Sequence, residues 1–61
     1  MPRILVVDDD EALRSVLCRL LERAGYEALE AADGRAALEV MRVHGERVDA
    51  MVTDIEIGRA S

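Results

Sequence analysis

The sequence has no tryptophan, no phenylalanine and a single tyrosine, Tyr26. Nucleic-acid surfaces are built from stacking aromatics and basic patches. This chain lacks the first, and its net charge of −5 would repel phosphate over most of its surface. One proline and four glycines are too few for a collagen-like or low-complexity chain. The lone cysteine, Cys18, leaves no intramolecular disulfide to form and fits a reducing compartment. No apolar run reaches the length of a signal-peptide core or a membrane span. A soluble cytoplasmic protein with neither nucleic-acid nor membrane partners is therefore expected. Lysine is missing as well, since all eight basic residues are arginine.

What remains reads as globular, with 51% apolar and 34% charged residues. At 61 residues the chain makes one small domain, spanning 1–61. A chain of this size buries only about 60% of the surface its unfolded form exposes. The sequence thus describes either a compact miniature or a core completed by another chain.

Ile4–Val7 is a continuous aliphatic run, the pattern of a strand buried on both faces of a parallel sheet. From Glu11 the period changes. Leu13, Val16, Leu17, Leu20, Leu21 and Ala24 recur at steps of three and four, predicting an amphipathic helix that Asp9 or Asp10 caps and Gly25 ends. Tyr26–Ala31 predicts a second strand, made polar by Glu27 and Glu30 as suits an edge. Asp33-Gly34 opens a second helix with Ala37, Leu38, Val40 and Met41 as its buried stripe and Gly45 as its stop. Val48–Thr53 predicts a third strand that runs into Asp54.

The order βαβαβ with short connections is that of an α/β fold with a parallel sheet. Right-handed crossovers that reverse direction once give the strand order 2-1-3, with the two helices on opposite faces. Ligands of such sheets bind beyond the carboxyl ends of the strands, where the chain reverses its travel. Asp8 and Asp9 end the first strand and Asp54 ends the third, so topology brings three carboxylates to that point. They cannot all stay ionised together without a cation or a proton. Mg²⁺ suits the arrangement, being held by one or two carboxylates, waters and a phosphate. An aspartate can also accept a phosphoryl group when a metal offsets the charge.

These residues resemble the receiver domain of bacterial two-component response regulators. "ILVVDDDEALR" is similar to its first strand and acidic pair, "AADGRAAL" to the junction of its second strand and helix, and "VDAMVTDIEIG" to its phosphoacceptor strand. The resemblance covers Arg3 to Gly58. It implies a flavodoxin-like doubly wound fold of which this chain is the first half. It makes Asp54 the phosphoacceptor, Asp9 a direct Mg²⁺ ligand, Asp8 a ligand acting through metal-bound water, and the backbone carbonyl of Glu56 a further ligand. Asp10 receives only a capping or solvated role. The implied function is a phosphorelay module, not an enzyme beyond self-phosphorylation on Asp54, with a histidine kinase or phosphotransfer protein as partner.

Three departures accompany the match. Ile57-Gly58 stands where receivers have a Met-Pro pair or something close to it. The two later strands, with their phosphoryl-sensing Ser or Thr and their Lys, do not occur in these residues, and Arg59 is the only nearby cation to stand in for the lysine. Signalling by the chain alone is therefore expected to be impaired. Asp8-Asp9-Asp10 also resembles the Asp-x-Asp motif of haloacid-dehalogenase-type phosphatases, but Ala12 stands where those have Thr or Val. His44, alone in the last helical turn, reads as a dipole or solubility residue rather than a phosphocarrier. Cys18 reads as a small packing residue on the flank of its helix, and Met41 and Met51 as core or interface. The third strand, Val48 to Thr53, is expected to be an exposed apolar edge through which two copies pair as a homodimer. A different class of function stays open, a self-associating scaffold without phosphorylation.

Overall fold

The computed structural model describes residues 1–53. Three parallel strands, β1 (Arg3–Val7), β2 (Glu27–Ala31) and β3 (Ala50–Thr53), lie in the order β2-β1-β3. Two helices, α1 (Glu11–Arg23) and α2 (Gly34–His44), form the crossovers, and a 3₁₀ turn, Gly45–Arg47, leads toward β3. This is the α/β topology expected from the sequence, within one or two residues at most boundaries.

β1 is the centre of the sheet. It pairs with β2 in the register Leu5 to Leu29 and Val7 to Ala31, and with β3 in the register Ile4 to Ala50 and Val7 to Thr53. Ile4, Leu5 and Val6 are all buried, Leu5 and Val6 completely. Successive side chains of a strand point to opposite faces. Leu5 clusters with Ala31 and Ala37, supported by Val7, Leu29, Ala36, Val40, Met41 and Val48, so α2 covers that face. Ile4 and Val6 belong to the other face, where α1 packs on β1 and β2. Each fully buried aliphatic side chain here stabilises the fold by about 1.5–3 kcal/mol.

Local chemistry sets the helix ends. Asp10 caps α1, its Oδ1 accepting from the Leu13 N–H at 3.1 Å, and Asp33 caps α2, its Oδ1 accepting from the Ala36 N–H at 2.8 Å. α1 closes with the paired bonds of a Schellman motif, Gly25 N–H to Glu22 O at 3.1 Å and Tyr26 N–H to Leu21 O at 3.0 Å. That motif requires a left-handed residue after the cap, and Gly25 supplies it with φ of 98°. Gly45 does follow the last residue of α2, but its φ of −51° is right-handed and the chain tightens into the 3₁₀ turn instead.

Three expectations need correction. In α1 the covered line is Arg14, Leu17, Cys18 and Leu21, while Leu13, Val16 and Leu20 are exposed, Leu20 to 56%. Cys18, placed on the flank by the apolar pattern, is the buried residue of the helix. In α2 Leu38 is 68% exposed, and Ala36 joins Ala37, Val40 and Met41 against the sheet. The third strand begins at Ala50, because Val48 and Asp49 are used differently. The Asp49 N–H donates to Arg3 O at 2.8 Å, and Asp49 Oδ2 accepts from the Arg3 N–H at 2.7 Å. As expected, β3 is exposed along its whole length, including Met51 and Val52. Among the described residues no helix is long and apolar enough to cross a membrane.

Two measurements check this account. Leu5→Ala should cost about 2–5 kcal/mol, enough in so small a core to abolish a cooperative urea transition followed by circular dichroism. Burial holds the Cys18 thiol above its ordinary pKa, with Glu30 and Glu22 adding to the effect and Arg14 opposing it. The unfolded thiol therefore loses its proton first as pH rises, so the unfolded state binds fewer protons and stability falls alkaline of about 8.5. Urea midpoints at pH 7 and pH 10 should show this loss, and Cys18→Ala should reduce it.

Candidate functional site

Four aliphatic residues bring β1 to Asp8, which is buried to 4% exposure at the carboxyl end of the strand. A buried carboxylate needs partners. Asp8 Oδ1 accepts from the Asp10 N–H at 2.8 Å, closing an Asx-type turn that lifts the chain out of the sheet and into α1. The backbone N–H of Asp8 donates to Ala31 O at 3.1 Å, one step past the last paired residues of β1 and β2. Its carbonyl accepts from Arg14 Nη1 at 2.8 Å, and Arg14 Nε donates to Glu30 Oε1 at 3.0 Å.

Asp9 is different in kind. It is exposed, and it takes part in none of the side-chain hydrogen bonds among the described residues. Its carboxylate is therefore available to a ligand from solution. Asp10 is spent on the helix cap, which separates it from its two neighbours in role as well as in position. Of the remaining sequence-derived site residues, Asp54 and Glu56 lie outside the described residues, as do Ile57, Gly58 and Arg59. Val7 is level with Thr53, after which the chain continues into Asp54.

A cleft of about 250 Å³ opens at this end of the sheet, lined by Val7, Asp8, Leu13, Leu17, Val52 and Thr53. It spans the carboxyl ends of β1 and β3, the switch point of a 2-1-3 sheet. A larger open depression, about 770 Å³, lies along Met41–Arg47 at the end of α2 and contains neither member of the acid pair. Among the described residues no three acidic, histidine or cysteine side chains converge into a metal-binding group. Asp8 lines the open cleft and Asp9, the next residue, is exposed to solvent; two hard oxygen donors of this kind suit a cation which keeps most of its waters, such as Mg²⁺. His44 ends α2 and the exposed Met51 lies on β3; neither belongs to the cleft.

Arg14 was not among the residues expected at the site. A charged residue between apolar ones ordinarily faces solvent, yet Arg14 begins the covered line of α1, one turn after the cap. The spacing Arg14, Leu17, Cys18, Leu21 was the available signal.

Comparison with known proteins agrees with the fold. The family model for the response regulator receiver domain matches residues 4–61. The chain is 48% identical over 58 residues to protein-glutamate methylesterase/protein-glutamine glutaminase 1 of Anaeromyxobacter dehalogenans, covering 95% of this chain and 16% of that protein. It is 47% identical to the response regulator MprA of Mycolicibacterium vanbaalenii, covering 93% of this chain and 24% of that protein. It is 42% identical to the CAI-1 autoinducer sensor kinase/phosphatase CqsS of Vibrio cholerae, covering 90% of this chain and 8% of that protein. The crystal structure of a response regulator receiver domain protein from Clostridium thermocellum superposes with a TM-score of 0.88 at 28% identity, over all of this chain and 48% of that one. The chain belongs to the response regulator receiver family, the signalling modules of two-component systems. It spans no more than a quarter of the length of these curated relatives and about half of the solved receiver chain.

The division of labour among the acids is testable. Asp10→Ala should lower stability by about 1 kcal/mol through loss of the cap, read from the urea midpoint, while Asp9→Ala should leave that midpoint nearly unchanged.

Proposed function

We propose that residues 1–61 act as one receiver-like unit of a phosphorelay, with Asp54 as phosphoacceptor and a Mg²⁺ site made by Asp8, Asp9, Asp54 and the backbone carbonyl of Glu56. The observation that carries this reading is the buried Asp8 carboxylate lining a cleft at the switch point of the sheet, with exposed Asp9 next to it in the chain. Mg²⁺, when bound, supplies positive charge against the crowded carboxylates and the incoming phosphoryl oxygens. The Asp54 carboxylate forms the new bond to phosphorus while the bond from phosphorus to the donor breaks, so the donor leaves with its electron pair. Receivers are in general signalling modules rather than enzymes, and self-phosphorylation on Asp54 is the most this chain would perform. The donor is a histidine kinase or a phosphotransfer protein, and a cytoplasmic location suits that exchange.

No lysine occurs in these 61 residues. A compact ammonium beside the phosphoryl group would have to come from elsewhere, and a planar arginine such as Arg59 is a poor substitute. The chain alone therefore accepts the group slowly and signals weakly.

Self-association is a second property. Its support is the exposed β3 edge with Met51 and Val52, and the uncovered Leu13, Val16 and Leu20 of α1. Unpaired strand edges with apolar flanks recruit further strands. Two copies joined through residues 48–53 would build a wider sheet, and a scaffold role without phosphorylation would rest on that pairing alone.

Intact-mass measurement after incubation with acetyl phosphate and Mg²⁺ should show one added phosphoryl group, about 80 Da, absent in Asp54→Asn. No gain dependent on Asp54 leaves only the scaffold reading. Light scattering at micromolar concentration should give twice the monomer mass, and a folded monomer would rule out pairing through β3.

A further inference from the structure

We propose that Arg14 is a positioning residue for the acidic pair, fixing the direction in which Asp8 and Asp9 leave the sheet. The inference deepens the Mg²⁺-site reading and rests on it for its functional consequence. Arg14 lies in α1, one turn past the cap, with its side chain only 15% exposed. Its guanidinium reaches two elements at once. Nη1 donates to the carbonyl of Asp8 at 2.8 Å and Nε donates to Glu30 Oε1, on β2, at 3.0 Å.

The Asp8 carbonyl is the first beyond the paired part of β1. It belongs to the peptide group that also carries the Asp9 N–H, and a peptide group is planar. Holding that oxygen therefore sets the plane from which Asp9 departs. Asp8 is then gripped at three points, its N–H by Ala31 O, its carbonyl by Arg14 and its carboxylate by the Asp10 N–H. The first and third bonds come from the chain's own ladder and turn; among the described residues Arg14 alone ties the Asp8 carbonyl to a helix side chain. Glu30 orients the guanidinium from the other side, so the bridge joins β1, α1 and β2 beside the cleft.

Charge and geometry make opposite predictions here. A cation close to the acid pair repels a metal ion, so loss of its charge should raise metal affinity. Loss of the positioning bond should lower it, as partners that orient metal ligands commonly contribute 10- to 100-fold to affinity. Arg14→Lys separates the two effects, because it keeps the charge but replaces the planar fork by a single ammonium that cannot span both acceptors. Arg3→Lys is the matched control. Arg3 Nη2 pairs with Glu27 Oε1 at 3.0 Å, which also ties β1 to β2, but at the end of the sheet away from the acids.

The experiment is two-dimensional NMR of the full chain, first without metal and then titrated with MgCl₂. Without metal, Arg14→Lys should shift the Asp9 and Asp10 amide signals and speed exchange of the Asp10 amide about tenfold, as the Asp8 carboxylate that accepts from it loosens; Arg3→Lys should leave both unchanged. With Mg²⁺, Arg14→Lys should raise the apparent Kd about tenfold and Arg3→Lys should not. Unchanged Asp9 and Asp10 amides in Arg14→Lys, or equal effects of the two variants, overturn the proposal. If the wild-type chain shows no Mg²⁺-dependent shift, the metal reading fails, and the metal-free arm by itself decides whether Arg14 positions the turn.

Discussion

Every element of this small fold is referred to β1. It is hydrogen-bonded on both edges and buried on both faces, so each residue from Ile4 to Val6 has its backbone and its side chain committed. A strand in that position cannot carry a polar side chain until it leaves the sheet, and leaving is itself demanding, because the next backbone groups lose their ladder partners. Asp8 resolves the exit with short bonds to Ala31, Asp10 and Arg14. The buried acid is therefore part of the machinery that ends the strand as well as a candidate ligand.

Much of this was legible in the residues. An aliphatic run followed by acids, two caps of the Asp type, a glycine after the first helix and a change of period at Glu11 determine five elements and their order. Right-handed crossovers then leave one simple topology, and the switch point follows from it. The helix start left Asp9 and Asp10 both open as the cap; the resemblance to receivers set Asp10 apart, and the structure gives the cap to Asp10.

The covered side of each helix was not legible. Periodicity measures how wide an apolar stripe is, and α1 has a stripe wide enough for two neighbours, from Val16 through Leu20 and Leu13 to Leu17 and Leu21. In the structure α1 leans over β1 and β2, so the part of its stripe farther from them stays open and Cys18 takes the inner position. Leu38 illustrates the same limit in α2, where two alanines allow the close approach that a leucine would prevent. Arg14 escaped because a charged residue between apolar ones is ordinarily solvated; its partner Glu30 lies sixteen positions away and the carbonyl it holds has no sequence signature.

At the other end of the sheet, Arg3 and Asp49 exchange bonds, N–H to carboxylate one way and N–H to carbonyl the other. That pair sets the start of β3 against the start of β1, and the distance from there to Asp8 on one strand and Thr53 on the other is then a count of residues along two parallel strands. Parallel strands rise by nearly equal steps. The arrangement works as a ruler with its zero at Arg3: an insertion or deletion between Arg3 and Asp8 would turn the core residues to the wrong faces and displace the first acid relative to β3 in the same stroke. Length in β1 is thus as strongly constrained as composition, and drift in this chain should find its freedom in the helices and turns.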